Sequence, residues 1–558
     1  MTNEHNINLQ ALKEAHKKVT LPHNLAPPTV SYSTYGHLLI LGSEDMIRLA
    51  AAQLEQMASV TLLVTEAVSN CSDKHLSDAF NSANKLPIYK AKIDSVKGFL
   101  GQFQVTIKQD HQIENFAKIS QNRVHFDLIL NLGKESLFVS ELSPTGYFHV
   151  GSNNSRLASV LSELPQYIGE FEKPRYFQIN NDICAHSNRG QTGCTRCLEV
   201  CPADAISSSS KGLIDINPHL CHGAGGCATA CPTGAISYAL PQPVRMHNYI
   251  QQLLSAYKDN GGQNPVILFH DQEQGLHLLQ QCSDSLPSNV IPIQLEEAAA
   301  AGQETWFSCL ASGALQVQLL ITQELPTQVN NLLKKEVTIS QEILQGLGYR
   351  ANQIELIFTP PNKAATEHNK DVTRIKPIGL INSINKRDTF FAAFDHLVKQ
   401  AATPINDHLA LPAGSPFGQV AINNTSCTLC MSCVAVCPTQ SLTDGGEKPA
   451  LNFREQNCVQ CGLCEAACPE EAISLIPRLT TTDQRNTSIE IHSEAAFECI
   501  SCSKPFAPKS TIDKMLDKLS GHPYFQGPAI NRLKMCEDCR VNDIFTDLST
   551  HPEKQLEL

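Results

Sequence analysis

Eight cysteines within forty-two residues are the part of this chain best suited to chemistry. Cys427, Cys430, Cys433 and Cys437 run into Pro438, and Cys458, Cys461, Cys464 and Cys468 run into Pro469. Each half reads C-x2-C-x2-C-x3-C-P, a spacing that sets soft thiolates around iron–sulfur clusters. The first three cysteines of a run wrap tightly enough to hold three corners of one cube. The fourth, carried away by its proline, reaches the other cube. Cys427, Cys430, Cys433 and Cys468 are therefore expected to bind one [4Fe–4S] cluster, and Cys437, Cys458, Cys461 and Cys464 a second. A pair of zinc sites or disulfides would account for neither the spacing nor both prolines.

This is the spacing of bacterial two-cluster ferredoxins, and a less regular copy precedes it. Cys184 is followed after nine residues by Cys194, then by Cys197 and Cys201-Pro202; Cys221, Cys227 and Cys231-Pro232 complete the copy. Cys184, Cys194, Cys197 and Cys231 are expected to hold a third [4Fe–4S] cluster beneath an extra loop, 185–193. In the other half Ala224 stands where the middle cysteine belongs, leaving Cys201, Cys221 and Cys227. Alanine cannot ligate iron. Three readings stay open: a [3Fe–4S] cluster with the corner unfilled, a [4Fe–4S] cluster with His222 or water as fourth ligand, and loss of the cluster.

A third constellation lies near the C-terminus, where Cys499-x2-Cys502 and Cys536-x2-Cys539 form two knuckles. Such a pair usually makes a four-thiolate zinc site. An iron–sulfur cluster and redox-active dithiols are the alternatives. Cys71, Cys282 and Cys309 stand alone and are expected to be buried apolar thiols.

The rest of the chain must position these groups. Residues 31–172 alternate strand and helix signals, with strand runs at His37 to Gly42, Ser59 to Thr65, Pro87 to Ile93, Phe103 to Ile107 and Phe126 to Leu132. The pattern predicts a parallel α/β sheet. The turn Gly42-Ser43-Glu44-Asp45 lacks the G-x-G-x-x-G of a nucleotide site. Residues 241–410 repeat the alternation and predict a four-stranded, flavodoxin-like parallel sheet. The fold class is thus α/β multidomain: a tail (1–30), an α/β domain (31–172), an irregular α+β dicluster ferredoxin domain (173–240), a second α/β domain (241–410), a regular dicluster domain (411–478) and a cysteine-knuckle domain (479–558). Asn362 to Ile375 reads as a surface loop.

A formal net charge of −12 argues against nucleic acid and against an anionic membrane surface. The first residues lack an apolar export segment, and the cysteines cluster in metal spacings, so a reducing cytoplasm is expected. No apolar stretch is long enough to span a membrane.

Several strings point further. Gly169-Glu170-Phe171-Glu172-Lys173-Pro174-Arg175, Asp182-Ile183-Cys184-Ala185-His186, Thr192-Gly193-Cys194-Thr195-Arg196-Cys197 and Met535-Cys536-Glu537-Asp538-Cys539-Arg540 resemble the cytoplasmic double-dicluster ferredoxin-type proteins of bacterial formate dehydrogenase gene clusters. The resemblance runs from about residue 31 to the end. It implies a role beside a molybdenum or tungsten formate dehydrogenase, as electron carrier or as accessory protein; the leading expectation is an electron carrier, the alternatives being an accessory or maturation factor for that enzyme and an oxidoreductase subunit with a substrate or flavin site in an α/β domain.

Overall fold

The structure is a computed structural model that describes residues 3–21, 28–66, 86–109, 112–151, 154–186, 192–283, 285–362, 374–379, 381, 385–446 and 448–550. Two parallel sheets form its scaffold. The first has five strands in the order Ile88–Lys90, Ser59–Val64, His37–Gly42, Leu128–Asn131, Tyr147–His149. Successive side chains of a strand point to opposite faces, so an apolar run buries both. Leu38 and Ile40 accordingly enter one core cluster, and Leu39 and Leu41 another. The second sheet has four parallel strands, ordered Val290–Leu295, Val266–Asp271, Gln316–Leu320, Ile354–Ile357.

Three expectations need correction. Phe103 to Ile107 does not join the parallel sheet. It lies in the strand Gln104–Gln109, which pairs antiparallel with Lys92–Lys97 and Gln112–Asn115. Only two residues separate Gln109 from Gln112, too few for the crossover that parallel pairing requires. The segment 1–30 is not merely a tail: Asn3–Lys18 is a helix that buries Ala11 and Ala15 in the core shared with the helix Pro243–Asp259. Its Asn8 Oδ1 accepts the Gln263 amide at 2.8 Å. Cys282 is half-buried, whereas Cys309 is fully buried and its thiol is pushed up by that burial. Cys71 and most of the loop 362–375 lie outside the described residues.

The two cysteine-rich units share one plan. In the first, Phe177–Ile179 pairs antiparallel with Ile236–Tyr238 around the inner hairpin Ile206–Ser208 and Ile214–Ile216. In the second, Gly418–Ile422 pairs with Ile473–Thr480 around Leu442–Gly445 and Lys448–Phe453. Two short helices follow the cysteine loops in each: Arg196–Val200 and Gly226–Ala230, then Ser432–Val436 and Leu463–Ala466. The C-terminal part carries a hairpin, Ala496–Glu498 with Pro505–Pro508, and the helices Lys509–Leu519 and Glu537–Thr550. Among the described residues no helix is long and apolar enough to cross a membrane.

Candidate iron–sulfur centres

Backbone geometry repeats at the cysteine loops. After Cys458, Gln460 and Gly462 are left-handed; after Cys427, Leu429 and Met431 are; after Cys221, Gly223 and Gly225 are. Residues two and four places after the leading cysteine thus bend the chain back on itself in all three loops. Ala224 sits between its two left-handed neighbours as Cys430 and Cys461 do between theirs. The loop around the missing cysteine therefore keeps the conformation of the complete ones. The four C-P corners repeat as well, with left-handed Asp204, Gly234, Gln440 and Glu471 three residues after Cys201, Cys231, Cys437 and Cys468.

These bends aim backbone amides at sulfur. The amides of Ala205, Ser441 and Ala472 lie 3.3, 3.2 and 3.3 Å from the Sγ of Cys201, Cys437 and Cys468. The Ile236 amide approaches Cys231 Sγ at 3.5 Å. Backbone hydrogen bonds also reach Cys184 from His186, Cys194 from Arg196, Cys221 from Gly223, Cys427 from Leu429, Cys458 from Gln460 and Cys461 from Leu463. An N–H directed at sulfur favours the thiolate, the form that binds iron.

Within each unit the cysteines lie close enough to feel one another's charge. Cys197 lies within electrostatic reach of Cys184, Cys194 and Cys231, and Cys433 of Cys427, Cys430 and Cys468. Cys464 is within the same reach of Cys458, Cys461, Cys437 and Cys433, and Cys227 of Cys221, Cys201, Cys197 and Cys231, so neighbouring sets also feel each other. Burial and the neighbouring sulfurs push Cys197 and Cys433 up to about 12. Buried thiols crowded in this way ionise only when a metal compensates them. Cys427, Cys430, Cys433 and Cys468 line one cavity. Cys201, Cys221 and Cys227 line another, with Ala224. His222 also borders that cavity; its ring bonds the Ser143 backbone, and its Nε2 is buried with no hydrogen-bond partner. The cavities, sulfur sets and aimed amides fit iron–sulfur clusters.

The C-terminal cysteines form a different kind of group. The sulfurs of Cys499, Cys502, Cys536 and Cys539 all lie within 4.8 Å of one another, with Cys502 and Cys536 at 3.7 Å. Thiolates around one tetrahedral ion stand ~3.8 Å apart, from the ~2.3 Å zinc–sulfur bond. A cube places each thiolate on a separate iron and spreads them more widely. The same domain caps the Cys427 loop, because Thr511 Oγ1 donates to the Thr428 carbonyl at 2.5 Å and Lys514 to the Ser426 carbonyl at 3.0 Å.

Comparison with known proteins agrees with this geometry. Residues 192–236 and 426–473 both match the 4Fe-4S dicluster domain family. The chain carries two such domains. Hydrogenase-4 component A of Escherichia coli is 41% identical over 85 residues, which is 15% of this chain and 38% of the relative. Protein NrfC of the same organism is 38% identical over 81 residues, 14% of this chain and 31% of the relative. The chain thus spans about a third of the length of the curated relatives that it matches. In these two stretches the chain is similar to iron–sulfur dicluster proteins.

Two residues that between them touch both dicluster units escaped the sequence reading. Lys386 and Arg387 open the helix Lys386–Gln400 and donate to backbone carbonyls of both dicluster units. One signal was available: cations in the first turn of a helix oppose its dipole and call for a reason.

Proposed function

We propose that this protein is a multi-cluster electron carrier that relays electrons to or from a partner oxidoreductase, with formate dehydrogenase as that partner, in the cytoplasm. The observation that carries this reading is the gathering of four cysteine sets into two dicluster units of one molecule. Clusters bound there would supply one-electron steps at potentials set by cluster type, charge and hydrogen bonds to sulfur. The chain's own residues orient the sulfurs and fix the distance between units. Cys430 is exposed, so the surface around it suits docking of a partner. The likeness to a hydrogenase component supports work beside a larger oxidoreductase, and the sequence resemblance supports formate dehydrogenase in that place.

The proposed complement is three [4Fe–4S] clusters, a [3Fe–4S] cluster at the Ala224 loop and one zinc ion at Cys499, Cys502, Cys536 and Cys539. The unpartnered Nε2 of His222 favours a second reading at the Ala224 loop, a [4Fe–4S] cluster with imidazole on the fourth iron. A ring whose other nitrogen bonds a carbonyl is how a metal-bound histidine is usually held.

Deleting the gene tests the role. An electron carrier leaves formate dehydrogenase loaded with cofactor but uncoupled from its acceptor. A dehydrogenase emptied of cofactor would instead make this protein a maturation factor.

A further inference from the structure

The helix Lys386–Gln400 belongs to the middle α/β domain, where Phe390 packs edge-on against Phe307 at 5.0 Å. Its first two side chains reach in opposite directions. Lys386 Nζ donates to the carbonyls of Ala228 and Thr229 at 2.7 and 2.8 Å, between Cys227 and Cys231 of the first dicluster unit. Arg387 donates to the carbonyls of Gln456 and Cys458, each at 2.6 Å, and of Pro416 at 3.2 Å, all in the second unit. Ala228 and Thr229 end a short helix whose last carbonyls have no partner within it, and cations are favoured at that negative pole. Local rules would place neither cation at the start of its own helix. Their targets explain them.

The units also touch directly. A Cβ on Gly193 would stand 2.7 Å from Leu463 Cγ, so the residue before Cys194 has no room for a side chain beside the residue before Cys464. Arg196 donates to the Gly414 carbonyl and faces buried Glu336 at 3.9 Å. Cys194 is among the charges that, after burial, push the Cys461 thiol up to about 11. A small cavity sits at this junction, lined by Arg196, Glu304, Glu336, Lys386 and Arg387.

The two cations differ in how they are balanced. Lys386 has Glu304 at 3.7 Å. The Arg387 guanidinium bonds neutral carbonyls and lies 5.2 and 5.1 Å from the rings of Phe391 and Phe417. Its charge is felt by the Cys458 thiol, as that of Asp388 is felt by Arg387. A buried guanidinium remains charged, and a positive charge beside a redox centre favours its reduced form.

We propose that Lys386 and Arg387 are positioning residues that lock the two dicluster units into one electron path crossing at the Cys194 and Cys461 corners, and that Arg387 also raises the electron affinity of the Cys437, Cys458, Cys461 and Cys464 set. This rests on the reading of the units as electron carriers. The middle α/β domain then serves to hold the units in register.

The test uses full-length, anaerobically prepared protein and three variants, Lys386→Met, Arg387→Met and Arg387→Lys. Iron content, EPR-monitored redox titration and the magnetic broadening that appears when both units are reduced are measured on each. Wild-type protein shows broadening between units. Lys386→Met keeps its iron and potentials but loses much of that broadening. Arg387→Met lowers the electron affinity of one cluster about tenfold, ~59 mV for a one-electron couple. Arg387→Lys keeps the potential and weakens the broadening. If Arg387→Met comes out short of iron, the other two variants carry the test, since each keeps a cation beside Cys458. Full iron with unchanged potentials and broadening in all three variants overturns the proposal, as does wild-type protein without broadening between units. Wild-type protein with no reducible clusters overturns the electron-carrier reading instead.

Discussion

The first dicluster unit lacks a cysteine and carries an insertion, yet it is the more tightly enclosed of the two. Its Ala228, Ala230, Ile236 and Tyr238 join the same apolar core as Trp306, Phe307 and the second parallel sheet. The second unit has a small core of its own, built around Val420, Leu451 and Phe453. The glycines of the cysteine loops show the same contrast. A Cβ on Gly225 would meet the Ala300 backbone nitrogen at 2.5 Å, and one on Gly223 would meet the Tyr176 ring at 2.9 Å. At Gly462, the counterpart of Gly225, a Cβ would meet nothing within 4 Å. Tyr32 and Lys173 grip the first unit from the other side, donating to the His219 carbonyl at 2.7 and 2.8 Å, and Lys173 also reaches the Cys221 carbonyl at 2.9 Å. A loop fixed by its neighbours tolerates the loss of one ligand. A loop with free space beside its glycine has less packing to hold it and leans more on its ligands.

Iron analysis is the most severe test of this contrast. Three cubes and one three-iron cluster give about 15 iron atoms per chain in an anaerobic preparation. A value near eight would mean that the enclosed unit is empty, and the comparison would fail. Next in size is the pair Gly225→Ala and Gly462→Ala. Both glycines are left-handed, so each change carries a backbone cost of about 1–2 kcal/mol. Gly225→Ala must also displace the Ala299 and Ala300 backbone, adding about 1–3 kcal/mol. It is expected to lower the unfolding midpoint the more and to strip iron from the first unit, whereas Gly462→Ala carries the backbone cost alone and keeps its iron. Equal effects on iron content and thermal unfolding would show that packing does not separate the units.

Ala224→Cys sharpens the comparison. Because the loop already has the fold of a complete one, the variant should gain about one iron atom and exchange a near-isotropic oxidised three-iron EPR signal for a cubane visible only on reduction. An unaltered spectrum would locate the incomplete cluster elsewhere or leave His222 as its ligand. The smallest expected effect concerns the open end of the second unit. Cys536→Ser should make residues 495–545 more sensitive to protease while leaving the visible iron–sulfur absorbance nearly intact, because metal binding and folding are coupled in so small a domain. Loss of iron in place of zinc would make the knuckles a further cluster site.

Much of the scaffold was legible because parallel strands buried on both faces read as continuous apolar runs, as at His37 to Gly42 and Val266 to Phe269. The helix Asn3–Lys18 was not, since it buries little more than small side chains and its surroundings are supplied by Pro243–Asp259. Phe103 to Ile107 read correctly as a strand but was assigned to the wrong sheet, because apolar alternation is the same in parallel and antiparallel neighbours.

The type of centre followed from the chain alone. A run of C-x2-C-x2-C closes over so few bonds that spacing dictates local geometry, down to the left-handed residues that flank Ala224. Tertiary structure decided how the units are arranged: that Gly193 lies against Leu463, that Cys430 reaches the surface, and that Lys386 and Arg387 hold one unit each. The acceptors of those two side chains are backbone carbonyls. Every residue carries one, so nothing in the sequence distinguishes the carbonyls of Ala228 and Cys458 until the fold brings a cation to them.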